Sequence, residues 1–153
     1  MVNLYSIALF AHIIGAVLVF VLLTIEGLGL RFGFEYAQLN RMLGPVSAVL
    51  VLVPGLYMMA AQWGWAGWIV TGIAAYVLIA GVGAYTGISV MRGRMNRRTA
   101  VVSWLARIGL ALGVAFIMTV KPSLIASVAA VLVGVVLGAA AGALRPRKEA
   151  AAL

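Results

Sequence analysis

The chain has 153 residues, 65% of them hydrophobic and 9% charged, with eleven basic residues against three acidic ones and a formal net charge of +8. A soluble domain is about 25% charged, so too little polar surface exists here to cover a water-soluble fold, and a soluble globular enzyme is excluded. No cysteine is present, which removes disulfides, thiolate metal sites and cysteine nucleophiles.

The apolar residues come in five runs, each close to the ~20 residues that cross a hydrocarbon core about 30 Å thick. The first covers 4–30 and is interrupted by His12, Thr24 and Glu26. No basic segment precedes it, so it reads as a retained helix rather than a signal peptide. Arg31 to Met42 is mixed polar and aromatic, a connection at the interface. Gly44-Pro45 is then expected to open a second helix over 44–61, with proline near the first helical position, where its missing N–H costs nothing. Pro54-Gly55 inside that run reads as a kink that neighbouring groups satisfy, or alternatively as a broken helix lining a site. Trp63, Trp65 and Trp68 follow in a short uncharged turn, as in an aromatic belt.

A third helix is predicted over 68–90, then a loop carrying Arg92, Arg94, Arg97 and Arg98, then a fourth helix over 100–120. An unbroken helix from Ala100 to Leu144 would be roughly 67 Å long, about twice the core thickness. Lys121-Pro122 is therefore the expected reversal, and a fifth helix covers 124–144. The predicted fold is an all-α membrane bundle of five transmembrane helices in one domain, with a short basic tail at 145–153.

With five spans the connections alternate sides. Arg31, Arg41, the four loop arginines, Arg145, Arg147 and Lys148 fall on one side; Lys121 alone falls on the other. The positive-inside rule puts the first group in the cytoplasm, hence the N-terminus out and the C-terminus in. Topology accounts for the basic charge, and a nucleic-acid partner is not needed.

Small residues recur at four-residue spacing: Gly83 and Gly87 in the third helix, Gly109 and Gly113 in the fourth, and Gly134, Gly138 and Gly142 in the fifth. Such ridges let helix backbones approach. They serve packing within one bundle or, on the last helix, a homo-oligomer. No longer repeat is visible, which disfavours a transporter of two inverted halves.

Three ionisable residues lie at membrane depth: His12, Glu26 and Arg107. A charge there costs about 2.5–3.5 kcal/mol on insertion scales and needs a partner or a wet cavity. Glu26 precedes Arg31 by five residues and Arg107 follows Arg98 by nine, so both enter from the arginine side. A snorkelling arginine closes the difference in depth. The pair either fixes the packing of the first and fourth helices or handles a proton or an anion. His12 reads as a hydrogen-bonded packing element; with Met58 and Met118 it is alternatively a soft Cu(I) site. As the only histidine it supplies half of a bis-histidine haem site.

No aspartate, no zincin motif, no nucleophile elbow and no Walker loop occurs. The carboxylates are Glu26, Glu35 and Glu149, too few for paired-carboxylate chemistry. The segments LFAHIIGAVLVF, PGLYM before WGWAGW, the arginine-rich loop and FIMTVKP resemble a family of bacterial integral-membrane proteins of unknown function, distantly similar to the copper-resistance D-type membrane domain. The resemblance covers about Leu4 to Pro122 and implies a bacterial inner-membrane helical bundle with a histidine on its first helix. It brings no catalytic residue. The expectation is a non-enzymatic multi-pass protein in the lipid bilayer, an accessory subunit of a membrane complex or a small homo-oligomer, with no cofactor. The alternative is a small transporter, or a copper- or haem-handling protein, that uses His12 and Glu26.

Overall fold

A computed structural model describes residues 3–144. The chain forms α1 (Leu4–Phe32), α2 (Ala37–Met58), α3 (Gly67–Met91), α4 (Arg97–Val120) and α5 (Leu124–Ala143), and α2 runs on through a π-helical turn at Met59–Trp63. All five are long and apolar enough to cross a membrane, and no strand occurs among the described residues. This is an all-α, multi-pass membrane bundle.

Local chemistry sets the helix ends. Asn3 caps α1 by accepting from the Ser6 N–H at 2.8 Å, and Asn96 caps α4 by accepting from the Thr99 N–H at 2.9 Å. Gly33, at φ 76°, ends α1 in the left-handed region. Lys121, at φ 54°, ends α4 in the same way immediately before Pro122, so the chain reverses where the sequence predicts.

One boundary differs from expectation. The second helix begins at Ala37, not at Gly44, and Pro45 lies inside it. Ala, Gln, Leu, Arg and Met before Pro45 are good helix formers. A proline inside a membrane helix is tolerated where side chains engage the loosened turn. Pro45 leaves the Arg41 carbonyl without its helical N–H, and two residues after the proline the Ser47 hydroxyl donates back to the Gly44 carbonyl at 2.9 Å. The connection shrinks to Gly33–Tyr36. The predicted tail at 145–153, with Arg145, Arg147 and Lys148, lies outside the described residues.

The bundle is built on α1 and α4. α1 packs on α2 along one side and on α4 along the other, while α3 and α5 both pack on α4. Leu23, Ala75, Ile79, Leu110, Ala111, Ile117 and Val131 form the buried core among α1, α3, α4 and α5. α4 and α5 run antiparallel at backbone contact. A Cβ on Gly109 or Gly138 would run into the Gly134 or Leu105 carbonyl, and one on Gly113 would lie 3.0 Å from the Val131 Cα. Gly142 similarly faces the Val102 Cα. The small-residue ridge of α5 thus faces α4 in the same chain, and α5 turns Ile125, Leu132, Val136 and Leu137 outward.

The two ends of the bundle differ. At one end Trp63 donates its indole N–H to the Tyr5 hydroxyl at 3.0 Å and meets Trp68 edge-to-face, with centroids 5.5 Å apart. The Lys121 ammonium sits 3.8 Å over the Trp63 ring, a cation–π contact at membrane-interface depth. At the other end Arg97 donates to the carbonyls of Leu30 and Arg31, and Arg98 donates to that of Ala143 at 3.2 Å. Cations in the first turn of α4 oppose that helix's own dipole. They are placed instead on the unpaired C-terminal carbonyls of α1 and α5, which fastens three helices together.

Candidate functional site: the cleft between α2 and α3

α2 hardly touches α3. Between them opens a cleft of about 980 Å³, floored by α1 and α4. Its inner walls are apolar, from Val19, Leu22 and Leu23 of α1 and Ile79 of α3. Polar groups gather towards the arginine end: Glu26 and Arg107 at the floor, and Glu35, Tyr36, Asn40 and Arg41 near the mouth.

Glu26 and Arg107 are buried, each 4% exposed, and in contact. Arg107 Nη1 donates to Glu26 Oε2 at 2.8 Å, and Nη2 donates to Oε1, a bidentate pair between α1 and α4. Small residues give it room. A Cβ on Gly83 would stand 2.9 Å from Arg107 Nη1, so this glycine seats the guanidinium rather than a neighbouring helix. Gly87, one turn further along α3, faces open cleft. One helical turn from Glu26, Trp104 of α4 lies across Gly27 and donates its indole N–H to the Leu23 carbonyl at 2.6 Å. Thr86 and Ser103 share a hydrogen bond of 2.7 Å between α3 and α4.

Two buried polar atoms have no partner among the described residues: Arg107 Nε and Asn40 Oδ1, both on residues lining the cleft. The Tyr36 ring lies against Gly29. Burial raises the Tyr36 phenol above its ordinary value near 10, and the Glu26 carboxylate adds to that while Arg107 opposes it. Tyr36 is therefore a neutral hydrogen-bonding group beside the cleft.

His12 lies elsewhere, in the seam between α1 and α2. Its Nδ1 is 2.8 Å from the Val51 carbonyl, and because a carbonyl only accepts, Nδ1 carries the proton. The ring rests on Gly55, where a Cβ would be 3.2 Å away. Pro54 lacks the N–H that would bond Leu50, so the turn here is loosened, and His12 engages the next carbonyl along. Pro54-Gly55 thus lies inside a continuous helix, in a turn met by a side chain from α1.

Met58 is buried at the end of α2, and Met118 reaches across to Gly72 of α3. His12 and Met118 occupy different seams, and the described residues contain no group of three or more His, Cys, Asp or Glu side chains that could hold a metal ion. His12 and Met118 therefore do not meet in one seam.

Sequence reasoning passed over Tyr36, Asn40 and Trp104. Tyr36 and Asn40 fell in a segment read as surface connection. The signal available for Trp104 was Gly27-Leu28-Gly29 directly after Glu26, small residues that leave space beside a buried carboxylate. No family model, curated protein or solved structure matches this chain.

Proposed function

We propose that this chain is a non-enzymatic protein of a bacterial cytoplasmic membrane that works by binding, taking a lipid-soluble molecule laterally into the cleft between α2 and α3. The carrying observation is the cleft itself, about 980 Å³ with a bidentate Glu26–Arg107 pair at its floor. Ligand sites are concave, mostly apolar and furnished with a few placed polar groups, and this space has that composition. Such a binder suits an accessory subunit that senses or presents its ligand to a larger membrane complex. The resemblance to bacterial inner-membrane bundles supports the same setting.

Two experiments test this reading. Gly87→Phe fills the cleft from a position where a Cβ meets nothing. Purified in mild detergent, the parent chain should carry a co-purifying small molecule or lipid by native mass spectrometry, and Gly87→Phe should lose it. Identical adducts on both would refute binding in the cleft. Orientation is tested by single cysteines, since the chain has none. With the arginine end in the cytoplasm, an impermeant reagent in intact cells labels a cysteine at Trp65 and spares one at Arg94; the reverse pattern inverts the topology.

A transporter reading is favoured by one observation: Glu26, an ionisable group, stands on the cleft floor. It would draw on Arg107 rather than His12, which lies in the other seam. Uptake into proteoliposomes that drives or follows proton movement, and is lost in Glu26→Gln, would favour it over passive binding.

A further inference from the structure

The two walls of the cleft carry matching small residues. Gly44 and Ala48 of α2 line it, as do Ala80 and Ala84 of α3, each pair about one helical turn apart. α2 begins and α3 ends at the arginine end of the bundle. Gly44 stands seven residues in from Ala37, and Ala84 seven in from Met91; Ala48 and Ala80 each stand eleven in. Because the rise per residue is constant, Gly44 pairs in depth with Ala84 and Ala48 with Ala80. Two antiparallel helices with small residues at this spacing are what α4 and α5 present to each other, and there the backbones touch.

Between α2 and α3 the ridges stand apart, which is costly in a bilayer for two reasons. Helices in lipid associate through close packing, and these two forgo it. The Glu26–Arg107 pair also lines the open space, and ionised groups at membrane depth are unfavourable beside hydrocarbon. Bringing α2 onto α3 would gain the packing and cover the pair.

α2 has joints where such a movement needs them. Its glycine contacts with α1 place Leu50 and Val51 on Gly15, and Gly55 on His12. Before that clamp, among residues 37–49, only Ser47 is buried. Pro54 leaves the Leu50 carbonyl without its helical N–H, and bends in long helices concentrate at such turns. The far end of the segment is tied to α1 by Gly33–Tyr36 alone, with Gly33 at φ 76°. Hinges are a few element-terminal positions of this kind.

We propose that residues 37–49 of α2 form a gate, pivoting at the Leu50–Pro54 turn and at Gly33–Tyr36 to seat Gly44 and Ala48 on Ala84 and Ala80. The structure is the open state, and the closed state is a minor population in exchange with it. Lateral entry to the cleft then depends on the position of α2. The motion belongs to the helix and does not depend on what the cleft holds.

The test is disulfide trapping of the full chain in lipid nanodiscs, in a sequence that has no cysteine of its own. Gly44→Cys with Ala84→Cys, and Ala48→Cys with Ala80→Cys, are oxidised with copper phenanthroline, and intrachain disulfide is read by mass spectrometry. Val49→Cys with Ala84→Cys is the control, since Val49 is 58% exposed on the outer face of the same segment. A disulfide forms only when the Cα atoms come within about 7 Å, so the matched pairs should be trapped about tenfold faster than the control. Gly87→Phe, a wedge set where a Cβ meets nothing, should slow trapping severalfold, and so should Pro54→Ala, which stiffens the pivot. Thermal melting of each variant shows that the fold is intact.

Matched pairs trapped no faster than the control overturn the gate, as does trapping that Gly87→Phe leaves unchanged. An unchanged rate in Pro54→Ala overturns the pivot. Disulfides between chains, formed equally by Gly44→Cys or Ala84→Cys alone, would show that the walls meet a second copy rather than each other, and would also overturn it. None of these results bears on whether a small molecule co-purifies, so the gate and the binding reading stand or fall separately.

Discussion

The seam between α4 and α5 and the cleft between α2 and α3 are made from similar residues and come out opposite. Glycines in α4 and α5 face one another, so the backbones touch and no space remains. Two glycines of α3 line the cleft instead: Gly87 meets nothing and Gly83 meets the Arg107 guanidinium of α4. In lipid, helices associate through close packing rather than exclusion of water, so a small residue closes a seam only when the opposite helix presents another one. α2 does turn small residues, Gly44, Ser47 and Ala48, towards the cleft, yet it leans away from α3 and onto α1. Its small-residue contact is with α1, where a Cβ on Gly15 would lie 2.7 Å from the Leu50 carbonyl carbon.

The largest effect expected in this comparison comes from the ion pair that floors the cleft. Glu26→Gln or Arg107→Gln alone leaves a buried charge without its partner, a loss of about 3–5 kcal/mol. The double substitution should recover about 2 kcal/mol relative to additivity, read as melting temperature in detergent. Strictly additive losses would mean that the two helices do not communicate through this contact.

Next in size is the seam. Gly109→Leu forces a side chain into the Gly134 carbonyl, and overpacking of this kind costs about 1–3 kcal/mol. Gly87→Leu, the same change on the cleft side, should be neutral or slightly stabilising because glycine is a poor helix former. The difference between the two melting temperatures measures how far seam and cleft diverge. Equal losses would show α2 closed on α3 in the membrane.

Much of this was legible in the sequence. Run lengths and the proline after Lys121 gave five helices. The depth arithmetic brought Glu26 and Arg107 to one level because rise per residue is nearly constant in a helix. What could not be read was lateral order. Periodicity tells which face of a helix is small, not which helix lies opposite, so Gly83 and Gly109 looked alike as packing positions although one seats Arg107 and the other meets Gly134. α2 starts seven residues before the Gly44 that the proline cue predicts. The helix-forming segment before it outweighs that cue, and this brought Asn40 and Arg41 onto a helix lining the cleft.

The smallest effect concerns the other side of α2 and explains why that helix stays on α1. His12 holds the Val51 carbonyl in the turn that Pro54 loosens. Hydrogen bonds between membrane helices average about 0.6 kcal/mol, because the separated helices also find partners. His12→Leu should therefore lower stability by about that amount and leave the Glu26–Arg107 coupling unchanged, since the two sites share no residue. The dependence on proline sharpens the test. Pro54→Ala restores an N–H to the helix and tightens the turn, so Val51 should then be less available to α1. The cost of His12→Leu should shrink in the Pro54→Ala background. An undiminished cost would place the value of His12 in its packing against Gly55 rather than in its hydrogen bond. A loss of several kcal/mol would mean that His12 carries more than one interhelical contact, and elemental analysis of protein purified without chelator would then decide whether a metal accounts for the excess.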